Sequence, residues 1–306
     1  MANANLDSKP FLSIMVSTRN RPKELLHCLQ SVQNQTFKNY EVIVLDDGGD
    51  SSQQTEAILK QIFPKGIFLC NQTCQGISSS RNSMMGAASG DWYFTIDDDA
   101  FFPSKLGLQM VVDRLNTLPN DYRILAVKIL DFFKPDQRRF LVPFPKYKLA
   151  REPQLLKWAG PVSYYLGGAQ AIHRSLIEDI GGYDSSFVYG QEEQDLSYRT
   201  LEAGYKIAYA PEIEVHHVPA KSALAGTGKK AEMHYSIRSR FVIATRYLPL
   251  WAIPSYLLAW SLKYAVHAFR DGDFKSFVSG IYYGTCALFT TPRQPVSWRT
   301  IRYLNR

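Results

Sequence analysis

The chain has 306 residues, 45% of them hydrophobic, so it can bury a sizeable core as one large domain or as one domain with an appendage. Its formal net charge of +7 is uneven, because residues 221–306 carry thirteen Lys/Arg and only three Asp/Glu. These charges are interleaved with Trp, Tyr, Leu and Pro, a mixture that favours an anionic membrane surface over nucleic acid as the partner.

Cysteine spacing and hydropathy exclude several other classes. The four cysteines, at positions 28, 70, 74 and 286, lack the spacing of a zinc site, so reduced thiols are expected. Residues 1–10 are polar and lack the apolar core of a secretory signal, which predicts a cytoplasmic location. The most hydrophobic window, 248–262, is shorter than the roughly 20 residues that cross a bilayer. It is predicted to lie on a membrane surface, with a buried helix pair as the alternative.

The first part of the chain alternates apolar strands with helical patterns. Strands are predicted at 11–17, 41–45, 67–70 and 92–96. The first helix begins at Pro22, the second is capped by Ser51 or Ser52, and the third covers 78–88. This alternation predicts a parallel sheet sandwiched between helices.

The second part of the chain is less regular. Residues 131–160 are rich in Pro, Lys and Arg, and they are predicted to form a loop over the site. A strand at 170–173, a helix at 191–203 and strands at 206–210 and 212–217 follow. The whole predicts an α/β catalytic domain over 1–220 and a basic, amphipathic helical extension over 221–306.

Polar clusters follow the predicted strands at their carboxyl ends, where open α/β sheets bind ligands. The clusters are residues 18–21, Asp46–Asp47, residues 76–82 and Asp97–Asp98–Asp99. Three adjacent carboxylates repel one another, so they gain from a divalent metal or from hydrogen-bond donors. The first strand–helix turn contains no glycine, which excludes the dinucleotide fingerprint and the phosphate loop there.

Seven strings occur in the order typical of one family: S-T-R-N-R-P, L-D-D-G-G-D, G-I-S-S-S-R-N, I-D-D-D, Y-L-G-G-A-Q-A-I, G-Q-E-E-Q-D-L-S-Y-R and V-H-H. Over residues 11–217 the chain therefore resembles family 2 glycosyltransferases of the GT-A fold. The tail, with R-Y-L-P-L, resembles that of bacterial rhamnosyltransferases. The resemblance implies a Rossmann-like mixed sheet flanked by helices and an inverting glycosyltransferase.

The implied donor is a dTDP-, UDP- or GDP-linked sugar. The implied acceptor is a glycan, a lipid-linked molecule or a small molecule carrying a hydroxyl group. Such a reaction would serve bacterial polysaccharide, glycolipid or glycoconjugate assembly, with the enzyme bound peripherally at the inner face of the cell membrane.

The donor's diphosphate gains charge as the glycosidic bond breaks, and carboxylate-held Mn²⁺ or Mg²⁺ would stabilise that charge. Asp99 is the predicted metal ligand. The resemblance directs Asp97 to the nucleotide ribose or to waters on the metal, and Asp98 either joins the donor site or points to solvent. His217 matches a position where some members of the family present a His to the metal or phosphate, and a structural His is the alternative.

The resemblance also implies a pocket for the nucleotide base. Asp46 or Asp47 would accept hydrogen bonds from the base, with a slight preference for Asp46, although one of the two can instead cap a turn. Thr18 and Arg19 would line the same pocket.

Further donor contacts are expected from the third and fourth clusters. Arg81 can pair with a phosphate or a base carbonyl, unless it is an exposed helix residue, and Asn82 can orient the loop. Gly168, together with Gly167, can let the backbone approach the sugar closely.

The general base of an inverting transferase should lie in G-Q-E-E-Q-D-L. Alignment on Asp195 gives Glu193 the base position, with Glu instead of the commoner Asp, and Glu192 is the alternative. Acidic residues in a first helical turn are also favoured by the helix dipole alone. Asp195 and Arg199 are expected to brace this helix through an ion pair.

Two other functions fit parts of the pattern. A sugar nucleotidyltransferase shares the strand-end carboxylates but would need glycines in the first loop. A non-catalytic sugar-nucleotide or glycan-binding module would lose the acidic run or the Glu pair, and both are present.

Overall fold

The computed structural model describes residues 9–134, 137–219 and 228–304. The polar segment 1–8 and the expected domain boundary near 220 lie outside these residues. All four cysteines are free thiols.

The first part of the chain forms the predicted strand–helix alternation. Its elements are β1 (Leu12–Thr18), α1 (Pro22–Gln33), β2 (Tyr40–Asp46), α2 (Ser52–Ile62), β3 (Ile67–Cys70), α3 (Ile77–Ala87) and β4 (Trp92–Ile96). Pro22 occupies the start of α1, where a missing N–H costs nothing. Strands β1 to β4 pair in parallel, in the order β3-β2-β1-β4.

The rest of the chain makes the sheet mixed and adds helices at its end. The elements are β5 (Ala100–Phe101), α4 (Gly107–Thr117), β6 (Tyr122–Lys134), β7 (Gln137–Leu141), α5 (Lys146–Arg151), β8 (Gly160–Val162), β9 (Ala169–His173), α6 (Arg174–Ile180), α7 (Glu192–Glu202), β10 (Lys206–His217), α8 (Gly228–Tyr247), α9 (Ile253–Asp271), α10 (Phe274–Thr290) and α11 (Trp298–Leu304). Strand β9 lies antiparallel between β4 and β6, and β10 lies parallel to β6. The mixed sheet confirms the predicted fold class.

The loop predicted over residues 131–160 is largely structured. Strand β6 runs on to Lys134 and pairs with β7, and α5 and β8 follow. Residues 138–140 of β7 are exposed, so this strand lacks the apolar alternation that would have revealed it. The two strands predicted at 206–210 and 212–217 are one strand, β10, with an irregularity between Ala210 and Glu214 where Pro211 cannot donate to the ladder.

The core lies on both faces of the sheet because successive side chains of each strand point to opposite sides. In β1, Ile14 and Val16 pack toward α1, α2 and α4, whereas Met15 packs toward α3, α6 and α7. The carboxyl ends of the parallel strands are thereby fixed along one edge.

The C-terminal helices pack on this body through α8. Tyr198 of α7 stacks on Tyr247 of α8, with ring centroids 4.8 Å apart. Helix α10 lies close against α8 because Gly280 and Gly284 leave no side chain in the way. Among the described residues, no helix combines the length and apolar composition needed to cross a bilayer.

A buried carboxylate joins α7 to α8. Asp195 is completely buried and accepts hydrogen bonds from Arg199 Nε at 2.9 Å, Arg246 NH1 at 2.8 Å and the Tyr247 hydroxyl at 2.6 Å. The predicted Asp195–Arg199 ion pair is present, and it belongs to a larger network that fastens the C-terminal helices.

We expect Asp195→Ala to lower the free energy of unfolding by about 3 kcal/mol, because Arg199 loses its buried counter-charge and Arg246 keeps only the partly exposed Asp184. Urea unfolding followed by circular dichroism measures the loss. Asp271→Ala is the matched control, since its ion pair with Arg270 is exposed and should matter little. Equal stability of the Asp195→Ala variant and the native chain would show that the network does not hold the helices.

Candidate active site

The acidic run lies at the sheet edge directly after β4, beside a histidine from a distant strand. Asp97 is fixed by its backbone N–H, which donates to the Gly168 carbonyl at 3.0 Å. The antiparallel pairing of β10 with β5 sets His217 opposite Ala100. Ligand atoms of Asp97, Asp99 and His217 lie within 4.8 Å of one another. The structure thus brings both predicted metal ligands together and adds Asp97 to them.

The candidate ligand atoms and their surroundings suit Mn²⁺ or Mg²⁺. His217 Nε2 lies 3.1 Å from Asp99 Oδ1, and His217 Nδ1 lies 3.0 Å from Oδ1 of the fully buried Asp131. If Nδ1–H donates to Asp131, the Nε2 lone pair is free to face the carboxylates, as in carboxylate–histidine–metal sites. The residues present therefore fit a divalent cation held by oxygen and imidazole nitrogen.

The electrostatic environment of Asp97, Asp99 and His217 favours positive charge. Burial and the nearby Asp99 raise the pKa of Asp97 to about 6, against the attraction of Arg81. Burial alone would lower the pKa of His217, but its hydrogen bonds and charge interactions with the acidic residues raise it to about 9.

Asp98 does not point to solvent, which was one of its two predicted positions. Its side chain is buried and accepts hydrogen bonds from the Thr18 hydroxyl at 2.7 Å and from Arg21 NH1 at 2.9 Å. Burial raises the pKa of Asp98 to about 7, although Arg21 lowers it. Thr18 and Asp98, both predicted to bind the donor, are therefore engaged with each other beneath the site.

The sequence interpretation missed Arg21 and Asp131. Arg21 also reaches Asp99 Oδ2 at 3.4 Å, so it neutralises two residues of the acidic run. Arg21 stands in the quoted string S-T-R-N-R-P, and its basic side chain at a strand end was the available signal. Asp131 gave no such signal because its segment looked like a loop.

Arg81 lies at the centre of the site, not on an exposed helix surface. Its side chain is 3% exposed. NH1 lies 3.4 Å from Glu192 Oε1 and 3.3 Å from Glu193 Oε1, while NH2 donates to the Gly167 carbonyl at 3.2 Å and lies 4.0 Å from Asp97 Oδ1. One guanidinium group thus connects the metal cluster with the glutamate pair.

The two glutamates differ in access. The Glu193 side chain is 18% exposed and that of Glu192 only 6%. Burial and the charge of Glu193 raise the pKa of Glu192 well above its usual range. Both glutamates follow Gln191, whose φ of +76° is a left-handed conformation that few non-glycine residues adopt. This bend aims the start of α7 at the site.

With Glu193 in its observed position, only glycine fits at residue 167. A Cβ on Gly167 would lie 1.8 Å from Glu193 Oε1 and 3.1 Å from Arg81 NH2. A Cβ on Gly168 would lie 2.9 Å from a methyl group of Ile129. The backbone at 167 therefore lies close to Glu193 and Arg81, whereas the approach of Gly168 to a sugar stays a prediction.

The two aspartates after β2 have separate positions. Asp46 is completely buried, with Oδ1 bonded to the Gly49 N–H at 2.6 Å and Oδ2 to the Thr55 hydroxyl at 2.9 Å. Asp46 therefore caps the turn, the alternative role given for one of the two aspartates, and its complete burial makes Asp47 the more accessible of the pair.

Asp47 is the aspartate that faces the next loop. It accepts hydrogen bonds from the Gln75 N–H at 2.8 Å, the Asn71 amide at 2.7 Å and the Gly76 N–H at 2.9 Å. Burial would raise the pKa of Asp47, but these bonds, led by that from Gln75, hold it below its ordinary value. Asp47 can bind the nucleotide base, as predicted, only if the base competes for these hydrogen bonds.

Arg19 and Asn82, which are also predicted to bind the sugar donor, have different hydrogen-bond partners. Arg19 Nε donates to the Gly48 carbonyl at 3.4 Å, and its NH1 has no hydrogen-bond partner among the described residues. Asn82 bonds to both backbone groups of Tyr183, at 2.7 and 2.8 Å, and so orients that segment. Arg19 is available to a ligand, whereas Asn82 acts on the protein.

Sequence comparison identifies two family profiles. That of glycosyl transferase family 2 matches residues 13–181, more than half of the chain, and that of the N-terminal domain of galactosyltransferase matches residues 148–220. Both ranges include residues of the site.

Several curated relatives are similar over part of their length. An uncharacterized glycosyltransferase of Haemophilus influenzae is 39% identical over 95 residues, 31% of each chain. The GalNAc(5)-diNAcBac-PP-undecaprenol beta-1,3-glucosyltransferase of Campylobacter jejuni is 35% identical over 94 residues, 29% of this chain and 30% of that protein. The match thus spans less than a third of either relative. YwdF of Bacillus subtilis, an uncharacterized glycosyltransferase, is 24% identical over 65% of this chain and 71% of its own.

Solved structures share the fold. The mannosyltransferase PcManGT of Pyrobaculum calidifontis, in complex with GDP-Man and Mn²⁺, has a TM-score of 0.58 and 17% identity over 93% of this chain and 87% of its own. TarS of S. aureus, in complex with UDP-GlcNAc, has a TM-score of 0.58 and 17% identity over 80% of this chain and 70% of its own.

Proposed function

The chain belongs to glycosyl transferase family 2, and on that premise we propose that it transfers a sugar from a nucleoside-diphosphate sugar to an acceptor hydroxyl with inversion at the anomeric carbon. One observation carries the proposal: the buried Arg81 holds a candidate cation cluster on one side and an accessible carboxylate on the other. A single displacement needs these two groups at one reacting carbon.

The donor side would be built on Asp97, Asp99 and His217. When bound there, Mn²⁺ or Mg²⁺ would offset the charge that develops on the diphosphate leaving group. Arg19, with a free guanidinium nitrogen, would contact the nucleotide. Two proteins of the same fold bind GDP-Man with Mn²⁺ and UDP-GlcNAc, which supports a nucleotide-sugar donor without choosing the base.

The acceptor side would use Glu193 as general base. Its carboxylate would take the proton of the acceptor hydroxyl while that oxygen bonds to the anomeric carbon and the bond to the diphosphate breaks. Arg81 would orient Glu193, since its guanidinium lies 3.3 Å from Glu193 Oε1. Glu192 is more deeply buried and would serve as a second partner that fixes Arg81.

The C-terminal helices would bring the enzyme to a membrane surface, at the inner face of the cell membrane. On α9, Leu262, Val266 and Phe269 are 60%, 68% and 77% exposed and recur at helical spacing. An apolar face on a basic segment is typical of peripheral binding to anionic lipid. The Campylobacter relative, named for a PP-undecaprenol acceptor, supports a lipid-linked acceptor in glycan assembly.

We expect Asp99→Asn to reduce transfer by roughly 100-fold or more, because a cation at the leaving group supplies several kcal/mol of stabilisation. The stabilisation of the native chain by UDP-, dTDP- or GDP-sugars with Mn²⁺, measured by thermal shift, should also disappear. The control is Asp113→Asn, an exposed carboxylate on α4. Metal-dependent donor binding that persists in Asp99→Asn would contradict the assignment of this ligand.

Glu193→Gln should leave donor binding intact and reduce turnover by roughly 100-fold to 10,000-fold, the range of a lost general base. Turnover is measured with the nucleotide sugar that thermal shift selects, and Glu56→Gln on the exposed face of α2 is the control. If Glu193→Gln keeps its rate and Glu192→Gln loses it, the base is Glu192. A full rate in both variants argues against a carboxylate base at this helix.

Leu262→Ser combined with Phe269→Ser should reduce sedimentation with liposomes that contain phosphatidylglycerol, because both side chains would insert between lipids. Leu106→Ser is the control, since Leu106 is 53% exposed but precedes α4. Unchanged partitioning of the double variant would remove the proposed membrane face.

A further inference from the structure

A basic and aromatic cluster lies where α8 meets α9, outside the groups used so far. Arg240 Cζ lies 3.4 Å from the ring centre of Trp260, and Lys263 Nζ lies 4.2 Å from the same centre. Arg240 NH1 also donates to the Tyr256 hydroxyl at 3.0 Å. Two cationic groups are therefore gathered around a single indole.

Neither cation around this indole has a carboxylate partner in the described chain. In the parts of the chain that the structure describes, neither Arg240 nor Lys263 forms an ion pair with a carboxylate. Burial and the nearby charge of Arg240 lower the pKa of Lys263. The cluster, defined as Arg240 and Lys263, thus holds positive charge without a counter-ion among the described residues.

The chemistry of the cluster suits a phosphate group. A guanidinium stacked on an aromatic face keeps its N–H edge free for planar recognition of oxyanions, and a lysine adds a mobile ammonium group. Arg240 Nε is buried and has no hydrogen-bond partner in the described chain. A phosphate oxygen would satisfy this donor and offset the repulsion.

We propose that Arg240 and Lys263 form a binding site for a phosphate or diphosphate group. The site lies outside the residues assigned to glycosyl transfer, so binding of the anion does not depend on that reaction. The group could come from a soluble phosphorylated molecule or from a lipid headgroup, and the chemistry recognised is the same.

The first arm of the test is calorimetric titration of the full chain with inorganic diphosphate in excess chelator, so that no metal holds the anion at the donor site. The second arm is sedimentation with phosphatidylcholine vesicles, with and without phosphatidylglycerol. Neither arm uses a sugar donor or turnover, so failure of the transfer reaction and failure of this site give different results.

Lys263→Gln and Arg240→Gln should each weaken the binding of the anion roughly ten-fold, the usual effect of losing one charged hydrogen bond. Lys275→Gln, an exposed lysine of α10, is the matched control and should bind as the native chain does. Lys263 is itself exposed, so its variant decides the question even if Arg240→Gln fails to fold.

Each outcome of the two experiments either supports or overturns the proposed anion site. Diphosphate binding that Lys263→Gln weakens supports the site with a soluble source, and a loss confined to phosphatidylglycerol vesicles supports it with a lipid source. The proposal is overturned if the native chain binds neither anion, or if Lys263→Gln and Lys275→Gln bind equally well.

Discussion

The buried guanidinium of Arg81 is the interaction on which the site depends. An arginine with 3% of its side chain exposed is stable only when its charge is matched, and here Asp97, Glu192 and Glu193 surround it. The same acids would repel one another without it. Because Arg81 lies in α3, Asp97 follows β4 and both glutamates begin α7, these three elements are locked into one geometry.

A similar balance governs the acidic run. Asp98 is paired with Arg21 from the loop after β1, and Asp99 with His217 from the end of β10. The order of the strands therefore determines which charges meet. The parallel strands β1 and β4 end side by side, and β10 pairs with the antiparallel β5. Asp131 completes the arrangement by holding His217 from behind.

The C-terminal helices take part in the catalytic body. Asp195 lies in α7, three positions after Glu192, and it accepts hydrogen bonds from Arg246 and Tyr247 of α8. The orientation of α7, and with it that of the glutamates, is thus coupled to the packing of α8. The same helix carries Arg240 of the proposed anion site, where it stacks on Trp260 of α9.

The sequence determined the strand–helix order, the position of the acidic run and the glutamate pair, because apolar periodicity and strand-end polarity are local properties. It could not determine which of two neighbouring carboxylates faces a ligand. Asp46 and Asp98 look like site residues in sequence, but Thr55 of the next helix binds Asp46, and Thr18 and Arg21, far away along the chain, bind Asp98. Strand β7 was hidden because an exposed strand shows no apolar pattern, and Asp131 because the end of β6 runs into a segment rich in Pro, Lys and Arg. Only tertiary structure decides such pairings, since they depend on which strand ends lie side by side.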